Sequence, residues 1–268
     1  MKCDDFGGII FTLIKEKYYE FVLGENFLSE NEWQRPYKGL LLYVCAFLAV
    51  SFVAARPMEI FNGLKIIVLS SDILITDYLE LAGVGATLMN VGLVMLSTTM
   101  LMYINKMPIQ SGNIVTIGLM SGFAFFGKNI FNMWFIILGT YLFCALRKEP
   151  ISKYLLQSFW ASSLGPIISS TFFYGGGITV KGTIVSVAVG LIIGFVTPVL
   201  TGYTVRIQHG LNLYNGGFAT GLMAMMLTPI LKGFGYGFNT VSIWATRYNR
   251  ILSIIMITLG IVMIVVGR

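Results

Sequence analysis

Apolar runs about as long as a bilayer is thick follow one another from residue 38 almost to the end of the chain. Nothing else in the sequence constrains the fold as much. They cover approximately residues 38–55, 59–78, 84–104, 113–127, 130–147, 154–173, 183–203, 210–230 and 250–267. A spanning helix needs roughly 20 apolar residues, so the pattern predicts an all-α, polytopic membrane protein with about eight to nine membrane segments. Of the 268 residues, 56% are hydrophobic and only 11% are charged, against about 25% charged in an ordinary soluble domain. The mean hydropathy is +0.80. Too little polar surface is left to clothe a soluble globule. The expected location is the cell membrane, with multiple passes.

Two of the runs are unusual. Residues 59–78 contain Lys65, Asp72 and Asp77, and residues 113–127 are short and glycine-rich. Either fits a re-entrant or broken helix, which a bilayer tolerates only where protein or a cavity covers the freed backbone. Pro166 and Pro198 fall inside apolar runs and are expected to kink or interrupt them. Residues 1–37 are the markedly polar stretch. Within them Phe6–Leu23 reads as an amphipathic helix at the interface, and the apolar run Gly8–Ile14, preceded by Asp4 and Asp5, lacks the features of a cleavable signal peptide. The expected organisation is an interfacial segment over 1–37 and a membrane domain over 38–268, in two halves of about 38–150 and 154–268. Basic loops fall on both sides in this count, so charge leaves the orientation open.

The net charge of +6 comes from basic residues set singly between apolar spans. That suits contact with lipid head groups and gives no basic stripe for nucleic acid. Cys3, Cys45 and Cys144 are odd in number and lack CxxC spacing, so they read as small core residues. His209 is the single histidine, which rules out a His-based metal cluster. It reads as a turn residue contacting backbone. No HExxH or GxSxG is present, and neither a cofactor nor an enzymatic activity is expected.

An internal repeat is the most informative motif. Residues 76–93 read TDYLELAGVGATLMNVGL and residues 201–218 read TGYTVRIQHGLNLYNGGF. Thr76 matches Thr201, Tyr78 matches Tyr203, Gly85 matches Gly210, Leu88 matches Leu213, Asn90 matches Asn215 and Gly92 matches Gly217. Chance likeness between apolar segments rests on Leu, Ile and Val, whereas this one rests on Thr, Tyr, Gly and Asn. An odd number of segments separates the two copies, so the second enters the membrane from the opposite side. Inverted repeats of that kind build many transporters and channels, with the solute site near the midplane where they meet.

An Asn within a spanning segment is expensive unless its amide is bonded. Asn90 and Asn215 have two readings: amides lining a path for a neutral polar solute, or amides spent on helix caps and neighbouring backbone, which is the commoner use in membranes. Thr76, Thr201, Asp77 and Asn212 complete the set of residues expected near such a path. Lys65 and Asp72, two helical turns apart, would share a face and could pair. The favoured alternative has Asp72 and Asp77 reaching water at the interface. Lys128, Asn129 and Asn132, in GFAFFGKNIFN, read as a short turn with an interfacial lysine. Gly118-x3-Gly122, Gly190-x3-Gly194 and Gly217-x3-Gly221 are patterns that let helices approach closely, and Gly182, Ser186, Gly190 and Gly194 form one small-residue face.

The stretches ITDYLELAGVGATLMNVGL, GFAFFGKNIFNMWFIILGTYL and QHGLNLYNGGFATG resemble an uncharacterised family of bacterial multi-pass membrane proteins, the domain of unknown function 1576. Trp134-Phe135 stands where its members tend to carry proline. They also tend to be longer, which implies that a C-terminal part is missing here. More distantly, the paired G-x4-N motifs and their inverted placement are similar to those of urea transporters, in which two inverted repeats enclose a narrow pore for a small neutral solute. That likeness implies a channel or facilitative transporter for a small polar solute, with the path at the repeat interface. The expected partners are membrane lipid and that solute, with a homo-oligomer left open. The other expectation is a non-transporting membrane subunit or scaffold.

Overall fold

The computed structural model describes residues 34–72, 74–175, 177–207, 215–237 and 241–266. The amphipathic helix expected at Phe6–Leu23, Cys3, His209 and Asn212 lie outside the described residues. The chain divides into two units, residues 1–39 and 40–268. The second is described from here on.

It is mostly helical. In chain order it contains α1 (Arg35–Ala54, entering from the first unit), α2 (Pro57–Leu69), β1 (Leu74–Thr76), α3 (Tyr78–Ile104), α4 (Ser111–Phe123) and α5 (Trp134–Arg147). After these come α6 (Leu155–Ala161), α7 (Gly165–Phe172), α8 (Val180–Ile207), α9 (Asn215–Gly233), β2 (Val241–Ile243) and α10 (Asn249–Val266). Three of the described helices are long and apolar enough to cross a membrane: α1, α3 and α8 over Val180–Thr204. Leu42, Val53, Met58, Phe61, Ile254, Met256 and Ile264 are each more than half exposed. Large apolar side chains bared in such numbers suit contact with lipid tails, not water.

Several apolar runs are not single helices. Residues 59–78 end their helix at Leu69 and continue as the extended strand β1, which pairs in parallel with β2, Leu74 opposite Val241 and Thr76 opposite Ile243. The chain is mostly helical, as expected, and this short two-stranded ribbon is a local departure from an all-α fold. The run 154–173 is broken into α6, a 3-10 turn at Ser162–Leu164 and α7. Pro166 explains the break, because it has no N–H to return to the carbonyl four residues earlier. Pro198 behaves differently, for α8 runs through it. The carbonyl that it strips of a partner is that of Gly194, and Thr140 Oγ1 on α5 donates to it at 2.9 Å. A neighbouring hydroxyl thus satisfies the freed backbone group.

One core cluster joins Ile136 of α5, Ala161 and Ile168 of α6 and α7, Val189 and Ile193 of α8, and Met223 and Leu231 of α9. The small-residue face of α8 makes this packing possible. A Cβ built on Gly194 would lie 1.8 Å from the Ile136 carbonyl oxygen, and one on Gly190 would lie 2.4 Å from Phe135 Cβ. Ser186 hydrogen-bonds Thr171 on α7 at 2.8 Å. Gly118, Gly122, Gly217 and Gly221 instead face open space, so those two patterns do not mark close helix contacts. Cys144 is buried as expected, whereas Cys45 is exposed.

Gly83 interrupts α3 with φ +78°. Only glycine takes that conformation at little cost, and a side chain there is strained by about 1–2 kcal/mol. A Gly83→Ala variant should therefore melt several degrees lower, although nothing lies within 4 Å of the added methyl. Thermal unfolding in detergent checks this.

At the α5–α6 loop Glu149 accepts from Tyr154 Oη and Lys153 Nζ. These bonds, that from Tyr154 first, hold the Glu149 carboxyl below the usual carboxylate range. Its contribution to stability is present above the ordinary carboxylate pKa and is lost as pH falls through the lowered value. A Glu149→Gln variant should show a shallower loss of melting temperature on acidification. The difference will be small, because the group is exposed.

Candidate functional site

Three buried polar residues of the second unit, Lys128, Asn129 and Asn132, lie on one irregular segment, the non-helical chain between α4 and α5. Ala124, Lys128, Asn129, Asn132 and Met133 are all buried in it. A backbone without its own helical bonds must find partners elsewhere, and three asparagines supply them. Asn90 of α3 donates to the carbonyls of Ala124 (2.8 Å) and Lys128 (3.0 Å) and accepts from the Ile130 N–H (3.3 Å). Asn129 Oδ1 accepts from the N–H groups of Phe131 and Asn132, and Asn132 Oδ1 accepts from the Asn129 N–H. Asn132 Nδ2 donates to the Gly127 carbonyl and to Ser169 Oγ on α7. Gly127, at φ +76°, lies where a Cβ would come 2.9 Å from Pro166.

Asp72 joins this segment from the α2–β1 turn. Its carboxylate accepts from Ser70 Oγ (2.6 Å), Tyr78 Oη (2.9 Å) and Asn129 Nδ2 (3.0 Å). At 1% exposure it does not reach water, which corrects the interfacial reading. Nor does it pair with Lys65, which is exposed on α2. The two-turn spacing between them fails because the helix stops at Leu69 and Asp72 takes a left-handed φ of 48°. Asp77 is half-buried and caps α3, accepting from Leu79 N–H. Its other oxygen accepts from Ala245 N–H just beyond β2.

Lys128 is the second ionisable group at the centre, and it too is 1% exposed. The sequence suggests an interfacial lysine in a turn, and the structure corrects that placement. Its Nζ donates to Ser162 Oγ (2.6 Å), the Phe159 carbonyl (3.2 Å) and Met120 Sδ (2.8 Å), and it lies 5.1 Å from the centre of the Phe123 ring. No carboxylate forms a salt bridge with it among the described residues. The Lys128 amine and the Asp72 carboxyl group thus sit in neighbouring cages of neutral partners, linked by the adjacent residues Lys128 and Asn129. Apolar interiors hold such groups rarely, and usually where they work.

The residues expected at a path fall as follows. Asn90 is fully buried, with its amide bonded to backbone. Asn215 is the first residue of α9. Thr76 is buried in β1, whereas Thr201 is buried within α8, so the two motif copies begin on different local structures. The Thr201 hydroxyl has no partner among the described residues. Tyr78 stands in the repeat motif, whereas Ser162 and Ser169 are single hydroxyls in apolar runs, with no pattern that marks them as site residues. The Lys-Asn-x-x-Asn spacing did hold a signal: asparagines that bond their own backbone favour an ordered turn. Among the described residues, no three of His, Cys, Asp and Glu come together as metal ligands would.

No curated protein and no solved structure matches the chain. The family model described as "Protein of unknown function (DUF1576)" matches residues 56–233, a stretch that holds α2 through α9 and every residue of the polar centre. The chain belongs to the DUF1576 family.

Proposed function

We propose that this protein is a multi-pass cell-membrane channel or facilitative transporter for a small polar solute, its path running by the polar centre. One observation carries the reading: Asp72 and Lys128 are buried on non-helical backbone among apolar helices. Broken backbone and ionisable side chains at membrane depth are the usual make-up of solute and ion sites. In this reading about eight to nine segments form two halves, 38–150 and 154–268, related by an inverted repeat. The repeat rests on the six identities between residues 76–93 and 201–218. Asn90 then shapes the loop that carries Lys128 and Asn129. Thr201, whose hydroxyl is buried and has no partner among the described residues, is a path group of the second half.

Reconstituted vesicles tested with glycerol, small amides and small anions should show flux above empty vesicles. Lys128→Met and Asp72→Asn should each lower it at least tenfold. Flux at the empty-vesicle level for every probe would overturn the proposal. A non-transporting membrane subunit is the second reading, favoured by the closure of the network, since Asp72, Lys128, Asn129 and Asn132 all bond to protein. It predicts no flux and a stoichiometric partner after purification in mild detergent.

A further inference from the structure

The partners of Asp72 allow two different hydrogen counts. A carboxylate only accepts, whereas a carboxylic acid must also give one hydrogen and needs an acceptor within reach. Tyr78 Oη gives its hydrogen to Asp72 Oδ1, and Asn129 Nδ2 gives one to Oδ2. Ser169 on α7 faces the same carboxyl group. Ser70, the residue that ends α2, has a choice. Its hydroxyl carries one hydrogen and lies near two acceptors, Asp72 Oδ1 at 2.6 Å and the Ile67 carbonyl at 2.9 Å. Turned to Asp72, that hydrogen completes a carboxylate. Turned to Ile67, it frees the Ser70 oxygen to accept a hydrogen from Oδ1 and completes a carboxylic acid. The Ile67 carbonyl keeps the Ser70 N–H, at 3.3 Å, in both cases. Neither state strands a buried polar group.

Asp77 is the contrast. Its oxygens meet the N–H groups of Leu79 and Ala245, which give hydrogens and never take one. Charge around Asp72 is balanced in a second way. No salt bridge reaches it among the described residues. Lys65 on α2 and Glu80 on α3 are exposed, Lys128 Nζ bonds Ser162, Phe159 and Met120, and Tyr78 is the titratable side chain that bonds Asp72. A carboxylate held from water with no cation beside it is costly, whereas several donors aimed at it favour the charge. These opposed demands suit a proton held reversibly. Tyr78, Asn129 and Ser169 are fully buried, but Ser70 is half-buried, so the hydroxyl that can reverse also reaches the surface.

We propose that Asp72 is a proton-binding site that loads and unloads through Ser70. On loading, hydronium at the surface gives a proton to Ser70 Oγ and leaves as water. The hydrogen that Ser70 already carried passes to Asp72 Oδ1, so one O–H bond breaks at Ser70 while another replaces it. The carboxylate becomes an acid, and the new Ser70 hydrogen turns to Ile67. Unloading reverses each step. The site stands apart from the transport reading and adds to it a charge that switches within the polar centre.

The full-length protein, with its aspartates labelled with carbon-13 at the side-chain carboxyl, is followed in vesicles by infrared spectroscopy. The pH is raised from ~6, where ordinary carboxylates, with pKa near ~4, have already ionised. The expected result is an aspartic-acid C=O band that is lost as pH rises and is absent from Asp72→Asn. In Ser70→Ala the band should move to higher frequency, because the acid loses its acceptor, and its exchange in D2O should slow about tenfold. A wild type without such a band, or an Asp72→Asn variant that keeps it, would overturn the site. A band in Ser70→Ala that matches wild type in position and exchange would overturn the Ser70 route. If Asp72→Asn does not fold, the shift in Ser70→Ala makes the assignment, since Ser70 bonds no other carboxyl group among the described residues, and an unshifted band then overturns the proposal. None of these readouts needs solute flux, so failure of the transport reading leaves the site standing.

Discussion

Replacing Asn90 with leucine should destabilise the protein by about 3 kcal/mol or more, the largest effect of any single side chain in the polar centre. The size follows from what the amide holds. Two carbonyls, of Ala124 and Lys128, and the Ile130 N–H all depend on it. Each buried group left unpaired costs about 1–3 kcal/mol. A single interhelical hydrogen bond in a membrane is typically worth under ~1 kcal/mol, because its partners find substitutes. These three cannot easily do so, since they belong to one enclosed segment. Asn105→Leu is the control: its amide bonds its own helix at Leu101 and, at 3.3 Å, Tyr141 Oη, and it is only half-buried. That variant should lose less than about 1 kcal/mol. Thermal and denaturant unfolding in one detergent compares the two.

Gly194→Ala should be nearly as harmful, by about 3 kcal/mol, although it adds a single methyl. The new carbon would lie 1.8 Å from the Ile136 carbonyl oxygen and 2.8 Å from the Thr140 N–H nitrogen. Both are backbone atoms, so no side chain can swing away, and α5 and α8 must separate. Separation would also pull Thr140 Oγ1 from the Gly194 carbonyl that Pro198 leaves without a helical partner. Gly202→Ala, on the same helix with nothing within 4 Å, should be neutral or stabilising by up to ~1 kcal/mol through helix propensity. Equal melting temperatures for the two variants would contradict the close α5–α8 contact.

The sequence makes the apolar helices legible because their burial is periodic and long. It also makes the α8 glycine face legible, because small residues at four-residue spacing have few other uses. Gly118-x3-Gly122 has the same spacing and faces open space, since a pattern on one helix does not say whether a partner lies opposite. The polar centre is harder to read. Lys128 looks interfacial because flanking apolar runs suggest a turn between two spans, and only tertiary structure folds that turn inward. Asp72 is misplaced for a related reason: a turn beside an apolar run looks open to water, whereas Ser70, Tyr78 and Asn129 enclose its carboxyl group, and the alternative pairing with Lys65 needs a helix that Leu69 ends.

The central claim is that the Lys128 segment is an enclosed core beside a narrow polar path, and thiol labelling of a Lys128→Cys variant tests it most directly. Native cysteines are first replaced, and Lys148→Cys, exposed in the α5–α6 loop, serves as the reactive control. The account predicts that a bulky impermeant maleimide labels position 148 and spares 128 from both membrane faces, whereas a small thiosulfonate reaches 128. Labelling of 128 by the bulky reagent at the rate of the control would contradict it, because that is how a turn at the water interface behaves.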